Sequence, residues 1–307
     1  PIYSYAQAML EFGTDKPDLR NPLRIIDMTG FFQKCTFQPF LKRTVRAIRV
    51  HAQMSKGFHE KLLKYAQSIG MGGLGYLEAL SDGSLKGPID KFIPDEYKEE
   101  FRRLAELETG DTIFFMADTE ARAAYYAGMI RTELGQKLDL LEKNAFRFCY
   151  VNDFPMYEKD PQTKKPAFTH NPFSMPQGGR KALDTMDPYD ILAYQYDIVC
   201  NGVELSSGAV RNHDPDTMRR AFEIAGYDEE TLQTKFGALY QAFQYGAPPH
   251  AGMAPGIDRM LMLLRGEENI REVIAYPMNG NAQDLMCGAP NTVSEQQLRE
   301  THIKVRE

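Results

Sequence analysis

The fold is decided by the stretch Tyr194-Gln-Tyr-Asp-Ile-Val-Cys-Asn-Gly-Val-Glu-Leu205. The pair Asn201-Gly202 stands between two runs of β-type residues, a combination that favours a hairpin closed by a two-residue type I′ turn. With that turn, Val199 faces Glu204 across the hairpin. Asp197 shares their face, because side chains alternate along a strand. The stretch therefore predicts an antiparallel sheet with two carboxylates on one face.

These two carboxylates are a candidate metal site. Asp197 and Glu204 lie diagonally on the predicted face, within reach of a shared cation. Mg²⁺ suits such a pair, because it takes few protein oxygens and fills its shell with water and phosphate. The alternative is a pair of exposed strand acids without a ligand, and geometry alone leaves it open.

An arginine follows on the same strand, but its spacing from Glu204 does not favour a position on the same face. Arg211 lies at an odd separation from Glu204, so a regular strand would place it on the opposite face. A β-bulge at Gly208 would bring it back, and glycine is a usual site for one. Arg211 could then clamp a small carboxylate with two hydrogen bonds, or it could be an ordinary surface arginine.

A second candidate region is rich in glycine and proline and spans Gly246 to Leu264. A glycine-rich strand that runs into an apolar helix lets a ligand approach the backbone. It also places Arg259 in the first turn of the helix, where the guanidinium can reach a phosphate or stack on a base. The alternative is a buried strand, turn and helix with a salt-bridging arginine.

Upstream of the hairpin, the sequence predicts a separate α+β module at residues 22–118, plausible as a domain by its size. Its strands are predicted at Arg24–Thr29, Val45–Val50, Leu74–Leu80 and Asp111–Met116, with helices between them. A long helix around Ala121 to Leu141 connects this module to the remainder of the chain.

Bulk composition narrows the class of protein. A chain of 307 residues with 43% hydrophobic and 25% charged residues is typical of globular proteins. The net charge of −6 argues against a nonspecific electrostatic grip on nucleic acid but leaves a local basic face open. No apolar run approaches a membrane span. The 4 cysteines match no metal or redox spacing, which fits a cytoplasmic protein.

The order of the motifs resembles a known family. The hairpin, Ser207-Gly-Ala-Val-Arg211, Tyr245-Gly-Ala-Pro-Pro-His250 and Gly256-Ile-Asp-Arg259 look like the second half of a class IIb aminoacyl-tRNA synthetase core, and the last of them resembles class II motif 3. Gly13-Thr-Asp-Lys-Pro-Asp-Leu-Arg20 resembles the bacterial-type aspartyl enzymes in particular. The 22–118 module resembles the insertion (GAD) domain that those enzymes carry between motifs 2 and 3.

The resemblance implies a fold and a division of the chain. The expected fold is α+β, with part of the six- to seven-stranded antiparallel class II sheet, flanking helices and an inserted α+β domain. The implied domains are a remnant of the catalytic core at 1–21, the insertion domain at 22–118, and the C-terminal half of the catalytic domain at 119–307.

The resemblance also implies an activity, aspartate–tRNA ligation in protein biosynthesis, with ATP and Mg²⁺. Asp197 and Glu204 would hold the metal, Arg211 would clamp the side-chain carboxylate of L-aspartate, and His170 would contact the amino acid. ATP would lie against Glu204 and the segment Gly256, Ile257, Asp258 and Arg259, with Glu204 and Arg259 as the catalytic residues. The partners would be tRNA for aspartate, with tRNA for asparagine left open, and the parent enzyme would be a homodimer.

The chain also departs from the family's pattern. Where the family often has a second histidine after His170, this sequence has Asn171. Pro1 stands where a start methionine would be, and the chain shows no motif 1, motif 2 or anticodon-binding barrel. We therefore expect a piece of a longer polypeptide, with little or no ligase activity by itself.

Three other functions are compatible with parts of the sequence. A subunit of a tRNA-dependent amidotransferase could share the insertion domain, but it would not need the carboxylate hairpin or motif 3. A synthetase for asparagine or lysine is disfavoured by the 22–118 module and by the Asp15–Arg20 segment. The third alternative is a folded module that binds tRNA and does not bind ATP.

Overall fold

The computed structural model describes residues 1–306. The strands are β1 (Ile2–Ser4), β2 (Ile25–Asp27), β3 (Thr44–Val50), β4 (Gly75–Ala79), β5 (Leu85–Lys86), β6 (Thr112–Asp118), β7 (Phe148–Pro155), β8 (Tyr157–Lys159), β9 (Pro166–Phe168), β10 (Leu192–Cys200), β11 (Val203–Val210) and β12 (Ala251–Pro255). The helices are α1 (Tyr5–Phe12), α2 (Thr29–Phe32), α3 (Lys56–Ser68), α4 (Lys98–Leu104), α5 (Glu120–Lys137), α6 (Gly179–Thr185), α7 (Pro215–Ile224), α8 (Glu229–Gln244), α9 (Ile257–Arg265) and α10 (Glu295–Glu300).

The chain forms two compact units, Pro1–Ala254 and Pro255–Glu307. The second unit contains α9 and α10, and α10 begins with a capping box in which Ser294 and Gln297 satisfy each other's backbone amides. Among the described residues 1–306, no helix is both long and apolar enough to cross a membrane.

The main sheet of the first unit has the strand order β1-β7-β10-β11-β12. β10 pairs antiparallel with both β7 and β11, whereas β1 at the edge runs parallel to β7. One face of the sheet packs on α1 through a core that includes Ala8, Phe12, Val151 and Val199. The predicted α+β class with antiparallel pairing is confirmed, and this chain supplies five strands with one parallel edge pair.

The 22–118 module forms its own antiparallel sheet, in the order β2-β3-β6-β4-β5. Every strand predicted there is present. One face is covered by aromatic residues of α2 and α4, including Phe31, Phe32 and Phe101. The other face is covered by α3 and α5, with Leu62 and Ile130 among the buried residues.

A nine-residue segment from Gly13 to Asn21, here called the strap, joins α1 to the module. At its start, Gly13 has a left-handed φ of 69°. A Cβ at Gly13 would lie 2.3 Å from the Ala124 carbonyl oxygen and 2.5 Å from the Gly128 nitrogen, so the strap crosses α5 at backbone contact. Only glycine fits this conformation and this spacing.

Candidate functional site

The hairpin of β10 and β11 turns as the sequence predicts. Asn201 and Gly202 have φ values of 52° and 83°, as a type I′ turn requires. The Asn201 side chain accepts a hydrogen bond from the Arg147 amide and donates one to the Ala145 carbonyl, each at 2.9 Å. Val199 pairs with Glu204, as predicted from the turn.

The predicted β-bulge lies at a different residue. The register shifts after the Val199–Glu204 pair, and Ile198 then pairs with Ser206, so Leu205 is the extra residue. Gly208 instead pairs regularly with Tyr196, and the expectation of a bulge there was wrong. A Cβ on Gly208 would lie 2.4 Å from the Tyr196 ring and 2.6 Å from the Gly252 carbonyl oxygen. Glycine is therefore needed at this position of β11, where residues of both neighbouring strands, β10 and β12, come very close.

The shift at Leu205 changes which side chains share a face. Asp197 now pairs with Ser207 rather than with Ser206. Because directly paired residues point to the same side of a sheet, Glu204 and Ser207 lie on the face of Asp197. Arg211 follows Ser207 at an even separation, so continued alternation places it on that face as well.

Asp197 is an almost completely buried acid, 3% exposed. Burial raises the pKa of its carboxyl to about 6, and the neighbouring charge of Glu204 also raises it. A hydrogen bond from Ser207 and the charge of Lys16 lower this pKa but do not outweigh burial. Its Oδ1 is buried without a hydrogen-bond partner. A buried acceptor of this kind is costly unless a cation or donor satisfies it.

The strap places a lysine next to these two carboxylates. Lys16 Nζ lies 3.5 Å from Glu204 Oε2 and also bonds to the carboxylate of Asp15. Burial alone would lower the pKa of Lys16, but the bond to Asp15 and the charges of Asp15 and Glu204 outweigh it and raise that pKa. This segment carries part of the family resemblance, but its local sequence pattern predicts no role for Lys16.

His170 lies near this charged cluster. Its imidazole packs edge-on against Phe154, with 4.9 Å between ring centroids, and lies 6.3 Å from the Tyr5 ring. Partial burial of this otherwise exposed ring lowers the pKa of His170, and the charges of Asp15, Lys16 and Glu204 also act on it. The imidazole is therefore neutral at pH 7 and can exchange hydrogen bonds with a polar ligand.

Arg211 directly follows β11, away from the hairpin turn. Its amide donates to the His250 carbonyl at 2.9 Å, and an isolated bridge connects it to Ser174. Within residues 1–306 its guanidinium takes part in none of the ion pairs, so a ligand carboxylate could form the bidentate contact that arginine favours.

The remaining predicted residues lie at the start of the second unit. Gly256 is the N-cap of α9, and Ile257, Asp258 and Arg259 form its first turn, as the sequence predicts. A helix start presents unsatisfied backbone N–H groups and a partial positive charge, which suit an anionic ligand.

The cluster in the first unit fits Mg²⁺ as a two-carboxylate site. The unpartnered Asp197 Oδ1 supplies one oxygen and Glu204, which is only partly exposed, supplies another. No group of three or more acidic, histidine or cysteine residues that could hold a metal occurs among the residues that the structure describes. A cation here would therefore complete its shell with water and phosphate, as Mg²⁺ does.

A family model for class II tRNA synthetases of the D, K and N types matches residues 1–280. The chain belongs to this family. It is 50% identical over 308 aligned residues to an aspartate–tRNA ligase of Streptomyces coelicolor, covering 100% of this chain and 52% of the relative. It is 51% identical over 310 aligned residues to an aspartate–tRNA(Asp/Asn) ligase of Gluconobacter oxydans, covering 99% of this chain and 52% of that protein.

This class II synthetase chain thus spans about half the length of the curated relatives it matches. Among solved structures, it is similar to an aspartyl-tRNA synthetase from Entamoeba histolytica, with 19% identity and a TM-score of 0.35 over 80% of this chain and 45% of that one.

Proposed function

We propose that this chain is the C-terminal part of an aspartate–tRNA ligase. The observation that carries the proposal is the nearly buried Asp197, which has an unpartnered carboxylate oxygen and shares a face of the hairpin with Glu204 in a class II synthetase chain. Relatives with about 50% identity over the whole chain, named for aspartate, support the choice of amino acid.

The proposed reaction has two steps. The α-carboxylate of L-aspartate attacks the α-phosphorus of ATP, which forms aspartyl-adenylate and releases pyrophosphate. The terminal ribose hydroxyl of tRNA then attacks the carbonyl of this mixed anhydride and releases AMP. Neither step needs a covalent intermediate on the protein, so alignment and charge neutralisation supply most of the rate enhancement.

The side chains of the first unit would bind the amino acid and the metal. Asp197 and Glu204 would hold Mg²⁺, whose charge neutralises the phosphates of ATP when it is bound. Arg211 would form two parallel hydrogen bonds with the side-chain carboxylate of aspartate, which asparagine cannot match. The neutral His170 would position the amino acid through hydrogen bonds.

The helix start of the second unit would bind the nucleotide. The segment Gly256–Arg259 would line the ATP site, and Arg259 would reach a phosphate or stack on the base. The proposed partners of the complete enzyme are tRNA for aspartate and, by analogy with the Gluconobacter relative, tRNA for asparagine. We also propose a homodimeric, cytoplasmic parent enzyme and the domain division 1–21, 22–118 and 119–307.

ATP–pyrophosphate exchange tests the proposal, with aspartate, asparagine and lysine as separate substrates. We expect aspartate-dependent exchange from the complete protein. Arg211→Lys should lower kcat/KM for aspartate about 100-fold, because one ammonium cannot replace a bidentate guanidinium. Arg219→Lys, on the exposed side of α7, is the matched control and should leave exchange unchanged.

Two outcomes would overturn the assignment. Exchange that depends on asparagine or lysine would move the protein to a sister synthetase. No exchange from a folded complete protein, together with tight tRNA binding, would favour a tRNA-binding module. That the 307 residues alone have little activity stays a prediction, which the same assay on the isolated chain tests.

A further inference from the structure

The strap places an ammonium group on the proposed metal site. Lys16 Nζ is 3.5 Å from Glu204 Oε2, and both side chains are partly covered. Lys16 also acts electrostatically on the buried Asp197. Its own backbone amide donates to Thr14 Oγ1 at 3.1 Å, which gives the strap a tight local turn at this point.

Buried contacts on both sides of Lys16 fix its position. At one end, the strap touches α5 at Gly13 without room for a side chain. At the other, the buried Arg131 donates to the carbonyls of Asp18 at 3.0 Å and Asn21 at 2.8 Å, and Asn21 returns a bond to the Arg131 carbonyl at 2.8 Å.

The hairpin tip lies directly against the strap. The Cβ position of Gly202 is 3.4 Å from Asp18 Cβ and 3.9 Å from the Lys16 carbonyl oxygen. The turn that sets the register of Glu204 is therefore packed against the segment that carries Lys16. The Lys16–Glu204 ion pair is therefore part of a packed contact between the strap and the hairpin, which are far apart in sequence.

We propose that Lys16 is a positioning residue, which acts as the counter-ion of the Asp197–Glu204 pair while magnesium is absent and competes with magnesium for that pair. The proposal rests on the proposed function for the identity of the metal. A divalent cation between the two carboxylates would lie close to the ammonium, and like charges at such distances repel strongly in a partly buried site.

This competition has a functional consequence. The carboxylate pair alone would bind Mg²⁺ weakly, because the metal must displace or repel a cation that is already in place. Mg²⁺ that arrives with ATP brings the negative phosphates with it, and these offset the repulsion from Lys16. The site would therefore load the metal together with the nucleotide.

Nucleotide-free Mn²⁺ binding, measured by electron paramagnetic resonance on the complete protein and on this chain, tests the proposal. Lys16→Met should tighten Mn²⁺ binding about tenfold, because it removes a positive charge next to the metal. Lys16→Arg keeps the charge and should bind Mn²⁺ as the wild type does. Lys34→Met, which breaks the exposed Lys34–Glu100 pair of 2.7 Å, is the matched control and should change nothing.

A double variant assigns the effect to Glu204. In a Glu204→Gln background, adding Lys16→Met should tighten Mn²⁺ binding much less than tenfold, because the carboxylate that Lys16 contacts is gone and only its weaker effect on Asp197 remains. Unchanged or weaker Mn²⁺ binding by a folded Lys16→Met variant overturns the proposal. If Lys16→Met does not fold, Lys16→Gln replaces it, with circular dichroism as the check of folding.

The outcome is separable from that of the exchange assay, because Mn²⁺ binding requires neither aspartate nor tRNA. Tighter binding by Lys16→Met without aspartate-dependent exchange supports the role of Lys16 and removes the aspartate assignment. Normal exchange with no change in Mn²⁺ binding keeps the ligase and removes the role of Lys16.

Discussion

The two five-stranded sheets of the first unit differ in how they bury their faces. In the 22–118 module, the neighbours Phe114 and Phe115 point to opposite faces of β6 and are 0% and 1% exposed. In the main sheet, Val151 of β7 is fully buried, but Phe148 and Tyr150 on the other face are 53% and 45% exposed. The sheet of the module is buried on both faces, one of them under α3 and the following helix α5, whereas the sheet that carries the candidate site keeps one open apolar face. The main sheet is therefore covered only on the face that carries Asp197 and packs on α1.

The largest effect should come from the core of the module. Phe115 packs on the rings of Phe32 and Phe40, with centroid distances of 5.4 and 6.1 Å. Phe115→Ala should lower the free energy of unfolding by about 4 kcal/mol through lost burial and a cavity. Phe148→Ala, the same change on the open face, should cost less than about 0.5 kcal/mol. Urea unfolding followed by circular dichroism measures both changes. Similar losses of free energy of unfolding in the two variants would contradict the difference in burial between the two sheets.

A slightly smaller effect is expected where the strap meets α5. Burial lowers the pKa of Arg131 to about 10, so its guanidinium stays charged at pH 7 while donating to the carbonyls of Asp18, Asn21 and Leu23. Arg131→Met leaves those carbonyls unpaired and should cost about 3 kcal/mol in urea unfolding. Arg131→Lys should recover little, since a single ammonium cannot span three carbonyls. Full recovery by lysine would show that charge alone matters there.

The sequence predicted the local features of the site because each had a local cause. Asn201-Gly202 determined the turn, and the turn determined that Val199 pairs with Glu204. The predicted position of the bulge was wrong because a glycine in a strand can indicate either an irregular register or close packing. Gly208 is required for close packing against the Tyr196 ring and Gly252, and sequence spacing does not reveal these contacts.

Lys16 could not be found from local patterns for a different reason. Its position depends on contacts of the strap with α5 and with the hairpin tip, which are distant in sequence. A lysine beside an aspartate in a polar segment has the composition of a surface loop. The family resemblance singled out this segment, but only the folded contacts explain why its lysine lies on Glu204.

The site itself should lower stability at neutral pH. The pKa of Asp197 is raised to about 6 in the folded chain, so ionisation costs the folded state more than the unfolded one. In magnesium-free buffer, the contribution of Asp197 to wild-type stability should therefore fall as pH rises from about 4 to about 6, whereas acids with a lowered pKa, such as Asp184 and Asp214, contribute the opposite slope. Asp197→Asn should remove this contribution and gain on the order of 1 kcal/mol at pH 7 after allowance for solvent screening.

Thermal unfolding across that pH range measures the Asp197 effect. The charges of Glu204, Lys16 and Asp15 also act on Asp197, so a Glu204→Gln variant is the comparison that keeps the buried acid and removes its acidic neighbour. It should keep a reduced slope of the same sign. The same pH dependence of stability in the wild type and in Asp197→Asn would mean that other groups control it.

The smallest effect on stability is expected on the open face of the main sheet, where Ile2 pairs with Tyr150 and is 67% exposed. The double variant Ile2→Thr/Tyr150→Thr replaces both side chains with threonine, which favours strands, and should change the free energy of unfolding by less than about 0.5 kcal/mol. Its effect should instead appear in association, because a contiguous apolar face favours self-contact. Sedimentation velocity at rising concentration should show less self-association than in the wild type. A loss above about 1 kcal/mol would mean that this face already contributes to folding, and the two sheets would then differ only in degree.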